Sequence, residues 1–168
     1  MKFNIGDKVV YPNHGVGVVK EIRELNYGGE EHTCLSLQIL QSDSVVMVPL
    51  ENSKSVGLRR VMPKSRVQNV LDTLRAADAK PPNDWKGRYQ ENQAKMLSGD
   101  IEEVAEVLKA LTYLSTVKTL SYRERKMLER ARTLVISELA EASAKTPVDI
   151  EQEVDEAMGI VPSRIIDH

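Results

Sequence analysis

Two different periods divide the chain. From Phe3 to about Val61 the apolar residues alternate or gather in short β-branched runs: Val9-Val10-Tyr11, Val16-Gly17-Val18-Val19, Leu35-Ser36-Leu37-Gln38-Ile39 and Val45-Val46-Met47-Val48. Turn residues separate them, in Pro12-Asn13-His14-Gly15, Asn26-Tyr27-Gly28-Gly29 and Gln41-Ser42-Asp43-Ser44. Four or five strands within about 60 residues are too few for a large sandwich and predict a small SH3-like or Tudor-like β-barrel. Pro49 ends the fourth strand and belongs at a sheet edge, because it has no N–H to donate.

After Pro63 the spacing becomes helical. Val67, Val70, Leu71 and Leu74 predict a helix over Lys64 to Ala76, which the stretch Ala77 to Asn83 with Pro81-Pro82 interrupts. Asp84 is placed to cap a second helix from Trp85 to Leu97, ended by Ser98-Gly99. Asp100 caps a third, with Val104, Leu108 and Leu111 on one face. Ser121-Tyr122-Arg123-Glu124 is an S-x-x-E capping box and opens a long helix to about Ala140. Thr146-Pro147 starts a last short helix, with proline at the tolerated first position. The fold class is therefore α+β: a small barrel over residues 1–60, an all-helical domain over 61–158, and a loosely ordered tail over 159–168.

Composition narrows the function classes. Hydrophobic residues are 41% and charged residues 29%, which suits a globular protein, and no apolar run approaches the ~20 residues of a membrane span. No membrane partner is expected. The N-terminal residues lack an apolar signal region, and Cys34 stands alone, so a cytoplasmic location with a buried structural thiol is the expectation. The formal charge of −2 is uneven: residues 1–60 hold seven basic and seven acidic groups, 61–140 hold 14 and 11, and 141–168 hold two and seven. A mildly basic middle permits nucleic-acid binding, but the whole chain does not coat nucleic acid by charge alone.

No constellation points to catalysis. Gly15-Val16-Gly17 lacks the third glycine and following helix of a dinucleotide site. His14, His32 and His168 have no metal-ligand spacing, and no nucleophile-elbow pattern is present. A non-enzymatic binding protein without cofactor or metal is the expectation. Trp85 is the one tryptophan, with Lys86, Arg88, Tyr89 and Lys95 on the same predicted helix. The cations suit phosphates and the indole suits a base step, but a structural plug in the helical core is the other reading. Arg123, Arg125, Lys126, Arg130 and Arg132 form a second set on the long helix, with Glu129 able to pair with Arg125 or Arg132. That run reads as a solvated face or as a backbone-contact patch. The strand Gln41 to Pro49, with Val46 and Met47, is a third candidate, since a free edge can accept a strand from a partner.

In order along the chain, several segments resemble the CarD/CdnL family of bacterial transcription regulators. They are Phe3-x-x-Gly6-Asp7-Lys8-Val9-Val10-Tyr11-Pro12-x-x-Gly15-Val16-Gly17, Met47-Val48-Pro49, Ser55-Val56-Gly57-Leu58-Arg59, Asp84-Trp85, Ser98-Gly99-Asp100, Val104-Ala105-Glu106-Val107-Leu108 and Leu120-Ser121-x-x-Glu124-Arg125-Lys126-Met127-Leu128. The resemblance spans roughly Phe3 to Leu139 and is that of a short member. It implies a Tudor-like module that docks on the β subunit of RNA polymerase, with Met47 and Pro49, and neighbours Leu37 and Val46, on the polymerase-facing side. It also implies a helical domain that binds promoter DNA at the upstream edge of the bubble, through backbone and minor groove and largely without sequence preference. Trp85 would enter the minor groove and hold the unwound state, and Lys86, Arg88, Lys95, Arg125, Lys126 and Arg132 would meet the DNA. Gly87 departs from the polar or basic residue usual there, which leaves the assignment of cations to phosphates open. The implied protein is a monomer that reaches the nucleoid through polymerase. The competing expectation is an adaptor whose helical domain recruits another protein instead of DNA.

Overall fold

A computed structural model describes residues 2–76 and 85–160, and of Trp85 and Lys86 it describes only the backbone. The chain divides into two compact units, Met1–Val61 and Met62–His168. The interruption from Ala77 to Asn83 with its Pro81-Pro82 pair, the expected cap Asp84 and the tail from residue 161 lie outside the described residues.

In the first unit β1 (Lys8–Tyr11), β2 (Gly15–Tyr27), β3 (Glu30–Ile39), β4 (Val45–Pro49) and β5 (Arg59–Arg60) form one antiparallel sheet in the order β4-β3-β2-β1-β5. The expected barrel is thus an open sheet among the described residues. Closure would require β4 to pair with β5, and β5 offers only two residues, both opposite β1. Alternation sets the core: Phe3, Val9, Val19, Leu35, Leu37, Val48 and Leu58 pack together on one face. A register shift between Val19 and Glu21 inserts one extra residue into β2, which turns the strand where the hairpin leaves the core. Cys34 is a buried free thiol, as its setting in an apolar alternating strand suggested.

In the second unit a 3-10 turn at Lys64–Arg66 leads into α1 (Val67–Arg75), followed by α2 (Trp85–Leu97), α3 (Ile101–Val117), α4 (Tyr122–Ser143) and α5 (Pro147–Ala157). The caps read from sequence are formed: Asp100 accepts from the Glu102 N–H, Ser121 from the Glu124 N–H, and Thr146 from the Asp149 N–H. Val70, Leu71 and Leu74 of α1, Val104, Leu108 and Leu111 of α3, Val135 and Leu139 of α4, and Ile150 and Val154 of α5 build one core. Where the chain enters this unit, the Met62 N–H donates to Oε2 of buried Glu138 at 2.9 Å, so a carboxylate in α4 holds the entering segment. No helix of the described residues is long and apolar enough to cross a membrane.

Gly57 has φ +77°, and a Cβ there would stand 3.1 Å from Pro12 Cγ. The loop before β5 therefore needs glycine twice, for its left-handed backbone and for its approach to the turn after β1. Gly57→Ala is expected to destabilise the first unit by more than about 1 kcal/mol, read as a lower urea midpoint. An unchanged midpoint contradicts this account of the turn.

Candidate nucleic-acid interface and docking edge

α2 has an unusual buried face. Arg88, Asn92 and Met96, four residues apart, are its buried side chains from Gly87 onward, at 4%, 7% and 4% exposure. Two of the three are polar, so directional partners set the helix position more than apolar area does. Arg88 Nε donates to Glu124 Oε2 at 2.9 Å, and both side chains are almost wholly buried. Glu124 is also the closing glutamate of the α4 capping box. Its N–H donates to Ser121 Oγ at 3.2 Å, and the Ser121 hydroxyl donates to Glu124 Oε1 at 3.3 Å. Burial works to raise the Glu124 carboxyl, but the hydrogen bond and charge of Arg88, with help from Ser121 and the Lys118 charge, hold it below the usual carboxylate range.

A second contact supports the same junction. The Arg123 guanidinium lies 5.3 Å from the centroid of the Tyr89 ring, which ties the first turn of α4 to α2 one residue beyond Arg88. The N-terminal stretches of α2 and α4 are thereby joined. Around the first turns of α4, Arg123, Arg125, Lys126 and Arg130 are exposed, and Tyr122 is 67% exposed with the Lys126 ammonium 5.5 Å from its ring centroid. Because Glu124 is buried against Arg88, the acidic side chain exposed among them is Glu129, 3.7 Å from Lys126.

The candidate DNA-binding residues therefore fall into distinct settings. Arg125 and Lys126 are at the surface. Arg88 is inside, turned to Glu124, and is in the position of a structural residue. Lys95 is partly buried and bridges from α2 to Glu106 of α3 at 2.9 Å, where burial works to lower its pKa and the Glu106 and Glu91 carboxylates raise it. Arg132 does not pair with Glu129. It chelates Asp155 of α5 with Nη1 and Nη2 at 2.7 and 3.1 Å, and Nη2 also donates to Glu151 at 2.9 Å. The side chains of Trp85 and Lys86 lie outside the described part of the chain. Glu124 and Tyr122 were not singled out as site residues, whereas Tyr89 and Arg123 stood in the candidate sets. The capping box signalled Glu124, but its partner lies 36 residues away and no local spacing reveals it.

The candidate docking edge is β4, which among the described residues is hydrogen-bonded to β3 alone. Val45 and Met47 point outward at 64% and 40% exposure, Val48 is buried, and Val46 packs half-buried against the core. Pro49 closes the strand opposite Cys34. Leu37 sits in β3 opposite Val46 with no exposed surface, so it supports the edge from within the core. No group of three or more acidic, histidine or cysteine side chains is arranged to hold a metal ion among the described residues.

Removing one member of a buried ion pair leaves an uncompensated charge at a cost of about 3–5 kcal/mol, whereas replacing both with apolar groups is often neutral. Arg88→Met and Glu124→Gln are each expected to lose stability on that scale, and Arg88→Met with Glu124→Leu to recover most of it. The pH dependence has a fixed sign. The folded Glu124 value lies below the unfolded one, so its contribution is complete above the ordinary carboxylate range of about 4 and fades as pH falls through the folded value. In urea titrations the gap between wild type and Glu124→Gln should narrow at acid pH. A gap independent of pH contradicts an ionised Glu124.

Comparison with known proteins places both units. Residues 3–62 match the CarD-like/TRCF RID domain, and residues 69–155 match the CarD C-terminal domain. A Bacillus subtilis (strain 168) protein named "Putative transcription factor YdeB" is 32% identical over 137 residues, covering 82% of this chain and 90% of that protein. With one unit matched to each of the two CarD domains in order, the chain belongs to the CarD/CdnL family of transcription regulators.

Proposed function

We propose that this regulator docks on the β subunit of RNA polymerase through the β4 edge of its first unit and holds promoter DNA through the helical unit, at the upstream edge of the bubble, so that the open complex persists. The observation that carries the reading is the joined start of α2 and α4. There Arg123, Arg125 and Lys126 face solvent, and the buried Arg88–Glu124 pair fixes the helix that begins at Trp85. The match of the first unit to the CarD-like/TRCF RID domain and its edge strand with exposed Val45 and Met47 support the polymerase half.

Tethering explains why a modest charge suffices. Once the first unit is bound, the helical unit faces the promoter at an effective concentration in the millimolar range, so weak and sequence-independent phosphate contacts are enough. A ligand shifts the closed–open equilibrium only by its difference in affinity for the two states. Trp85 as a wedge in a distorted base step supplies that difference, because an intact duplex resists unstacking.

Trp85→Ala is expected to shorten the open-complex lifetime by roughly 5- to 10-fold toward the value without the protein, at the lower end of ordinary coupling energies. Met47→Arg, at an exposed position, should abolish co-purification of the β subunit with the protein still folded. A Trp85→Ala lifetime equal to wild type removes the wedge, and retained β with Met47→Arg removes β4 as the docking edge.

A further inference from the structure

The first turns of α4 carry aromatic surface that neither the helical core nor phosphate binding uses. Tyr122 opens the helix at 67% exposure, and the buried residues of α4 are Glu124, Ala131 and those beyond, so packing does not call for a ring at this position. Tyrosine is also an ordinary helix former with no advantage at the first position. Its ring carries Lys126 at 5.5 Å, and the adjacent residue, Arg123, lies 5.3 Å from the ring of half-buried Tyr89. Two tyrosines and three exposed cations, Arg123, Arg125 and Lys126, thus share one end of the unit.

Duplex DNA makes poor use of such a surface. Its phosphates satisfy the cations, but its base faces are stacked on one another and offer a ring nothing. An unpaired strand has a free π-face at each base, and stacking on an aromatic side chain is the common device of proteins that bind it. The charges agree. Glu124, the acidic group nearest the helix start, is neutralised internally by Arg88, and Glu129 faces Lys126 one turn further on. A phosphate at the first turn therefore meets cations and the positive end of the α4 dipole.

We infer that Tyr122, flanked by Tyr89 and the cations Arg123, Arg125 and Lys126, is a stacking platform for unpaired nucleotides of single-stranded DNA. This rests on the DNA-facing reading above and deepens it. Trp85 is the proposed wedge at the start of α2, and the platform on α4 receives bases that opening has already exposed. Binding to α4 then rewards the unwound state independently of the wedge.

The test uses the full chain without polymerase, at low salt, with fluorescence anisotropy on two probes: a forked duplex with one unpaired arm, and a blunt duplex of the same sequence. Wild type should prefer the fork. Tyr122→Ala should weaken fork binding by about 5- to 150-fold, the equivalent of roughly 1–3 kcal/mol for one stacked base. Tyr122→Phe should keep the preference, and all three proteins should bind the blunt duplex within about twofold of one another, with thermal midpoints confirming that each is folded. Equal loss on both probes, or no loss on the fork, overturns the platform. Wild-type binding without fork preference, or binding to neither probe, overturns the platform while the polymerase-tethered DNA-facing reading stands.

Discussion

The buried ion pair between Arg88 and Glu124 is the constraint on which the helical unit's candidate interface depends. Burying two charges is expensive, and a pair of this kind adds little net stability over an apolar substitute. What it supplies is position. α2 places a guanidinium, an amide and a single methionine on its inner face from Gly87 onward, and an apolar stripe that narrow would tolerate a slide or a rotation. A guanidinium with one carboxylate to satisfy does not, because any shift leaves a charge without its partner in a medium that cannot solvate it. Glu124 in turn is held by Ser121, so the end of α4 and the position of α2 are set by the same three side chains.

The same accounting sorts the cations of the helical unit. Several that look available in the sequence are engaged by the fold: Arg66 with Glu102, Lys95 with Glu106, and Arg132 with Asp155 and Glu151. α5 is strongly acidic, and by engaging Arg132 it leaves positive charge concentrated toward the N-terminal turns of α4. A net excess of three basic groups over residues 61–140 therefore understates the local field where it matters. In the proposed function, charge density at one end of the unit, with a tether supplied by the other unit, is what sequence-independent contact with DNA requires.

The layout was legible in the sequence wherever the determinants are local. The period change near Pro63, the Ser121 and Asp100 caps and the proline at the start of α5 all act within one turn, and the structure forms each of them. The apolar run of β4 carries no alternation to read, and it is the pairing with β3 that leaves Val48 buried and Met47 exposed. What was not legible depends on residues far apart in the chain. Arg88 and Arg132 read as DNA-facing cations because the acidic partners they find in the fold lie 36 and 23 residues away. Leu37 read as a surface neighbour of Met47, but strand pairing puts it opposite Val46 on the core face. Closure of the sheet was misjudged for a related reason, since β5 pairs through only two residues, both opposite β1 about 50 positions earlier in the chain.

Two weak interfaces on one chain form a coherent regulator when each supplies what the other lacks. In the proposed function the edge strand gives a fixed address on a large partner, and the helical unit gives preference for one state of the DNA beside it. Hydroxyl-radical footprinting of a polymerase–promoter complex with and without the protein tests this division most directly. The account predicts added protection confined to the backbone at the upstream edge of the bubble, present only when polymerase is bound. Unaltered cleavage there, with the protein shown to be on the polymerase, would contradict it and leave the helical unit as a recruiter of some other protein.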